Sequence, residues 1–120
     1  MPSSRLRGFS RQSIDELADL RVHLVYDHSL IGSLFDGLWY PCHGLISINP
    51  ELKGIRKKRT IIHEGLHAYE NLILKVKNRF PEKQIDEWAV YHLKKDSGLA
   101  SYMLEMFLII PAKISLIDLY

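Results

Sequence analysis

Thr60-Ile61-Ile62-His63-Glu64-Gly65-Leu66-His67-Ala68-Tyr69 is the stretch on which the fold turns. Around it, from about residue 55 to 77, apolar residues fall at Ile62, Leu66, Tyr69, Ile73 and Val76, spaced four, three, four and three. That spacing is one face of an α-helix. Ile61, Ala68 and Leu72 widen the face, which predicts a helix buried over much of its girth. His63, Glu64 and His67 make the pattern H-E-x-x-H. Residues four apart on a helix lie one above the other, about 5–6 Å between Cβ atoms. Two imidazoles there can take two corners of a zinc tetrahedron, each about 2.0–2.1 Å from the ion. Glu64 is rotated by about 100° from His63. It faces the open position rather than the inner sphere, which suits a general base acting on water.

A catalytic zinc site requires a third protein ligand. A longer pattern, with glycine at 70 and histidine at 73, fails because Glu70 and Ile73 stand there. Glu70 lies one turn further along the same helix and makes a poor third corner. The next predicted helix opens at Pro81, where proline is favoured, and carries the stripe Ile85, Trp88, Ala89, His92 and Leu93. It offers Glu82, Asp86 and Glu87. At about 100° per residue, Glu82 lies within about 60° of the stripe's centre. Asp86 falls at the border, and Glu87 points to solvent. A carboxylate at 82 is also favoured by the helix dipole. A short link after Arg79 would return this helix antiparallel to the first. The expected set is His63, His67 and Glu82 holding Zn²⁺, with Glu64 as base.

The remaining chain reads as follows. Residues 1–11 are polar and basic and are expected to fray. Ser13 is read as the N-cap of a helix over about 13–22, with Ile14, Leu17, Ala18 and Val22 at helical spacing. Residues 23–27, 38–40 and 45–49 read as strands by their β-branched and aromatic content. A final helix is expected from about Leu99 to Ile110, before Pro111 and an apolar tail. The predicted class is α+β: a small antiparallel three-stranded sheet packed on helices, zincin-like, as one domain over residues 1–120.

Composition narrows the function. Of 120 residues, 47% are hydrophobic and 25% charged, an ordinary globular balance that excludes a disordered or collagen-like chain. No apolar run approaches the roughly 18 residues of a membrane span, and the N-terminus lacks the apolar core of a secretory signal. The single cysteine, Cys42, forbids an intrachain disulfide and a four-cysteine metal site. A reducing compartment, the cytoplasm, is the expected home. A net charge of +2 does not make a nucleic-acid binder. The basic cluster Lys53-Gly54-Ile55-Arg56-Lys57-Lys58-Arg59 reads first as a solvated helix entry, and second as a docking surface for an acidic partner or for DNA-bound substrate. His92 reads as a core histidine and Cys42-His43 as a loop. His23 and His28 receive no role. Tyr26, Tyr40, Tyr69 and Tyr102 are each chemically able to assist an oxyanion, and the spacing favours none.

The segments Asp36-Gly37-Leu38-Trp39-Tyr40, Ile46-Ser47-Ile48-Asn49-Pro50 and residues 59–67, followed by Glu82-Lys83-Gln84-Ile85-Asp86-Glu87-Trp88-Ala89, resemble in order the ImmA/IrrE family of metallopeptidases. The resemblance runs from about residue 14 to residue 93, and Trp88-Ala89 looks like versions on phages and integrative elements. Three features depart from the family pattern. Gly65-Leu66 stands where Leu-Gly is usual, Ile85 replaces a common alanine, and His92-Leu93-Lys94-Lys95 stands in place of Leu-Leu-Met-Pro. The resemblance implies a zinc-dependent endopeptidase that cleaves a regulatory protein, a helix-turn-helix repressor. It also implies His63, His67 and Glu82 as ligands and Glu64 as catalytic base. On that reading strand 45–49 is a sheet edge, and Ile46, Ser47 and Ile48 pair with an extended substrate. The alternative is a non-catalytic zinc-binding interaction module on the same fold, an antitoxin or regulator partner. Glu64 argues against it, since a purely structural site has no use for that base.

Overall fold

The computed structural model describes residues 2–110, and the expected apolar tail lies outside them. Residues 2–8 form a 3₁₀ turn, not a frayed end, because Leu6 and Phe9 both insert into the core. Helix α1 spans Arg11–Asp19 and begins earlier than expected. Ser10 is its extended N-cap, and Ser13, inside the first turn, accepts a hydrogen bond from the Ser10 N–H at 3.0 Å. Strand β1 is His23–Tyr26, β2 is Gly37–Tyr40 and β3 is Leu45–Ile48. Helix α2 spans Gly54–Leu72, α3 Glu82–Lys95 and α4 Leu99–Met106. Residues Leu108–Ile110, expected as the end of a helix, instead form strand β4. A short apolar run is compatible with either state, and here pairing with β1 decides it.

The sheet corrects the expected one. It is four-stranded and mixed, in the order β2-β3-β1-β4. Only β2 and β3 are antiparallel, joined by a tight turn in which Gly44 takes φ 58°. β1 runs parallel to β3, with His23 opposite Leu45 and Tyr26 opposite Ile48, and parallel to β4. The reason is the connection between β1 and β2. Residues 27–36 carry the chain outward, so β2 becomes the edge and the hairpin places β3 between β2 and β1. Ile46, Ser47 and Ile48 are therefore wholly buried on an inner strand. They have no free edge for a substrate, and the edge strands of the described sheet are β2 and β4.

Ile14, Leu17, Leu24, Ile46, Ile48, Ile61, Ile62, Leu66, Ile85 and Met103 form the centre of one core. Each such side chain contributes about 1.5–3 kcal/mol by leaving water. Gly65 explains how closely α2 meets α4: a Cβ there would stand 2.6 Å from Met103 Cε and 3.3 Å from Phe9 Cζ. α2 ends where Lys75 takes a left-handed φ of 52° and the Val76 N–H turns back to the Glu70 carbonyl. The chain then returns to α3, which runs antiparallel to α2: Glu82 faces His67, Asp86 faces His63, and Val90 shares a cleft with Thr60. Among the described residues no helix is long and apolar enough to cross a membrane.

Candidate metal centre

The two histidines of α2 stand one turn apart, with ring centroids 4.9 Å from each other. Their Nε2 atoms point at the first residue of α3. His63 Nε2 is 2.8 Å from Glu82 Oε2, and His67 Nε2 is 3.1 Å from Glu82 Oε1. One donor atom from each of His63, His67 and Glu82 lies within 4.8 Å of the others. In a tetrahedral zinc site with bonds of about 2.0–2.1 Å, donors are about 3.3–3.4 Å apart, so small side-chain movements suffice.

The opposite ring nitrogens support the fit. His63 Nδ1 is 2.6 Å from Asp86 Oδ1, and His67 Nδ1 is 2.6 Å from Glu70 Oε1. A carboxylate at Nδ1 requires an N–H there, which leaves the Nε2 lone pair free for a metal. Each imidazole thus faces carboxylate oxygen from both sides. A cation between Nε2 and Glu82 makes that arrangement favourable: a proton or a metal ion at His63, and at His67 also the neighbouring Arg79 guanidinium, 3.5 Å from Nε2. The group can therefore hold a metal ion.

Glu64 is buried at 6% exposure, with Oε2 3.9 Å from His63 Nε2, close to the donors without joining them. Burial pushes its carboxyl pKa up, against the lowering effect of the two nearby histidines. Burial alone would lower the His67 pKa. It is instead raised, by the Glu70 hydrogen bond and the charges of Glu64, Glu82 and Glu70. Glu82 is also partly desolvated, but the charges of His67 and His63 hold its pKa below the ordinary carboxylate value.

Four further residues belong to the site. Glu70, a poor ligand on sequence grounds, stands behind His67 at 2% exposure. Asp86, placed at the border of its helix face, backs His63 and remains 64% exposed. Arg79 Nη2 donates to Glu82 Oε1 at 3.0 Å and lies 3.5 Å from His67 Nε2. Gly37, which reads in sequence only as a turn residue, opens β2 against α2. A Cβ on it would stand 2.9 Å from Thr60 Cγ2, 3.0 Å from Glu64 Cγ and 3.0 Å from the Ser47 carbonyl. The only sequence signals for these were a carboxylate three residues after His67, another four after Glu82, and a glycine just before an aromatic strand.

A cleft of about 430 Å³ opens beside His63 and Glu64, walled by Phe35, Gly37, Arg59, Thr60, Asp86 and Val90, with exposed Leu34 at its rim. A smaller cavity of about 70 Å³ lies on the other side, between Trp39, His67, Glu70 and Arg79. Neither is lined by any of the four tyrosines considered above. Tyr69 packs edge-on against Phe9, and the Tyr102 hydroxyl bonds Asp15. His92 is a core histidine, 3% exposed, with Nε2 2.8 Å from the Leu6 carbonyl. Cys42 and His43 occupy the β2–β3 turn and are not in the donor group. Within the basic cluster, Arg56 pairs with Asp36 at 2.7 Å, Lys57 lies over the Tyr26 ring, and Arg59 reaches the larger cleft. Compared with family models, curated proteins and solved structures, the chain matches none.

Proposed function

We propose that this chain is a zinc-dependent endopeptidase of the ImmA/IrrE type, working in the cytoplasm on a helix-turn-helix repressor. The observation that carries the reading is Glu64. It is a buried carboxylate beside three converging donors, it is not one of them, and it faces an open cleft. Bound at His63, His67 and Glu82, zinc would supply a Lewis acid that acidifies water and polarises the scissile carbonyl. Glu64 accepts the proton from the attacking water and returns it to the leaving amine. Gly37 lets β2 lie close against Glu64, where a Cβ would stand 3.0 Å from its Cγ. The open edge of β2, beginning at Gly37, is where an extended substrate segment would pair, with its side chains entering the cleft lined by Phe35 and Val90.

The test combines metal analysis of the purified chain with incubation beside helix-turn-helix repressors from the same genome, with and without chelator. One zinc per chain and chelator-sensitive cleavage are expected. Glu64→Gln should keep the zinc and lower turnover by about 10²–10⁴-fold. A Glu64→Gln chain that cleaves at the original rate overturns the mechanism.

A further inference from the structure

Glu70 spends both of its oxygens on groups that belong to different parts of the site. Oε1 lies 2.6 Å from His67 Nδ1, and Oε2 accepts the Phe80 N–H at 3.0 Å. Its backbone carbonyl takes the Val76 N–H at 3.1 Å. One residue therefore grips the connection between α2 and α3 near its start and at its end. Phe80 is followed by Pro81, whose φ is −55°, and then by Glu82. The Pro81 carbonyl accepts the N–H groups of Gln84 and Ile85, at 2.9 and 3.1 Å. An ordered path thus leads from the Glu70 carboxylate to the third donor, while the same carboxylate orients the second.

We infer that Glu70 is a positioning residue that sets His67 and Glu82, donors from two different helices, against each other. The inference rests on the metal reading above. Asp86 provides the internal control. It touches His63 Nδ1 at the same 2.6 Å, yet it is 64% exposed and water can take its place. Glu70 is 2% exposed, so removing it leaves the buried His67 Nδ1–H and the half-buried Phe80 N–H without a partner. An amide at 70 has one accepting oxygen for two donors, and its NH₂ group would face an N–H. The isosteric change is therefore not a silent one.

The experiment is a chelator competition for zinc on the full chain, with cobalt(II) spectra as a readout of ligand geometry. Glu70→Gln should remain folded, bind zinc about 10–100-fold more weakly and change the cobalt spectrum. Asp86→Asn should weaken zinc by no more than about fivefold, as expected of an exposed pair. Equal affinities and spectra for Glu70→Gln and the unmutated chain, or a loss no larger than that of Asp86→Asn, overturn the inference. Should Glu70→Gln fail to fold, amide exchange of the unmutated chain decides. By linkage, zinc should slow exchange at the Phe80 amide by tenfold or more, and an unchanged rate sinks the idea. A chain that takes up no zinc removes the metal reading and this inference together. Tight zinc binding indifferent to residue 70 removes the inference alone.

Discussion

Helix α2 has two opposite faces, both largely buried and built by opposite rules. The face around Gly65 meets Met103 of α4 and Phe9, and its Ile61, Ile62 and Ala68 belong to the apolar core. The face around His67, with His63, Glu64 and Glu70, buries ionisable groups that are tolerable only as a set. Four carboxylates, those of Glu64, Glu70, Glu82 and Asp86, surround two imidazoles and the Arg79 guanidinium. The apolar face is complete as it stands. The charged face has more carboxylates than fixed positive charges, and a divalent cation between the Nε2 atoms and Glu82 would offset the difference. The apolar packing and the candidate metal site thus lie on different sides of one helix.

Removing zinc should therefore produce the largest change. A metal held at 100 times its dissociation constant stabilises the folded chain by about 2.7 kcal/mol. Chelation should lower the melting temperature by on the order of 10 °C for a domain of this size. Thermal scans with and without chelator check this, and identical curves would show the charged face to be complete without metal. Next in size is Gly37→Ala. The Ser47 carbonyl is backbone and gives little, so the new methyl must push Thr60 and Glu64. Displacing the base should lower turnover by about 10–100-fold while zinc affinity holds. Parallel kinetic and chelator titrations separate the two, and an unmoved turnover breaks the claim that β2 positions Glu64.

The apolar face calls for a smaller perturbation. Gly65→Ala gains about 1 kcal/mol of helix propensity. Its Cβ, however, meets Met103, which is fully buried, and overpacking costs about 1–3 kcal/mol. A net loss of about 1 kcal/mol is expected from denaturant midpoints, most of it recovered in a Met103→Ala background. Additive losses in the double variant would mean that the close approach of α2 to α4 is not what glycine serves.

What could be read in advance follows the range of the interactions. The period of α2 and its paired histidines is local, and so is the helical angle that turns Glu82 toward its neighbour. Strand order is not local, so β3 could be read as an edge although the hairpin buries it between β2 and β1. Leu6 and Phe9 sit in a basic, polar segment, and only the cavity they fill shows that they are core. Glu70 and Asp86 differ from other acids solely in which imidazole lies 2.6 Å away. Gly37 and Gly65 matter for the side chains they admit, and those belong to other elements.

The gentlest probe of the two faces is pH, because only the charged one titrates. His67 has a folded pKa above its ordinary 6.5, so its stabilising effect is complete below 6.5 and is lost as pH rises through the folded value. Glu64, raised by burial, acts in the same direction: its charged form is disfavoured as pH climbs above 4.5. Glu82 is lowered, so its contribution is present above 4.5 and is lost as pH falls through its folded value. His92 in the core acts the other way, its pKa lowered by burial, so it costs stability as pH falls below 6.5. Without metal, the chain should therefore be most stable toward the upper of those two ordinary values and should weaken toward alkaline pH. Zinc competes with the proton on His67, so its affinity should rise across the same range. Melting curves of the metal-free and zinc-loaded chains between about pH 5 and pH 8 should therefore diverge as pH increases. Metal-free stability that rises toward pH 8 would mean that Glu70 and Glu82 do not hold the proton on His67. The charged face would then have no deficit for a metal to fill.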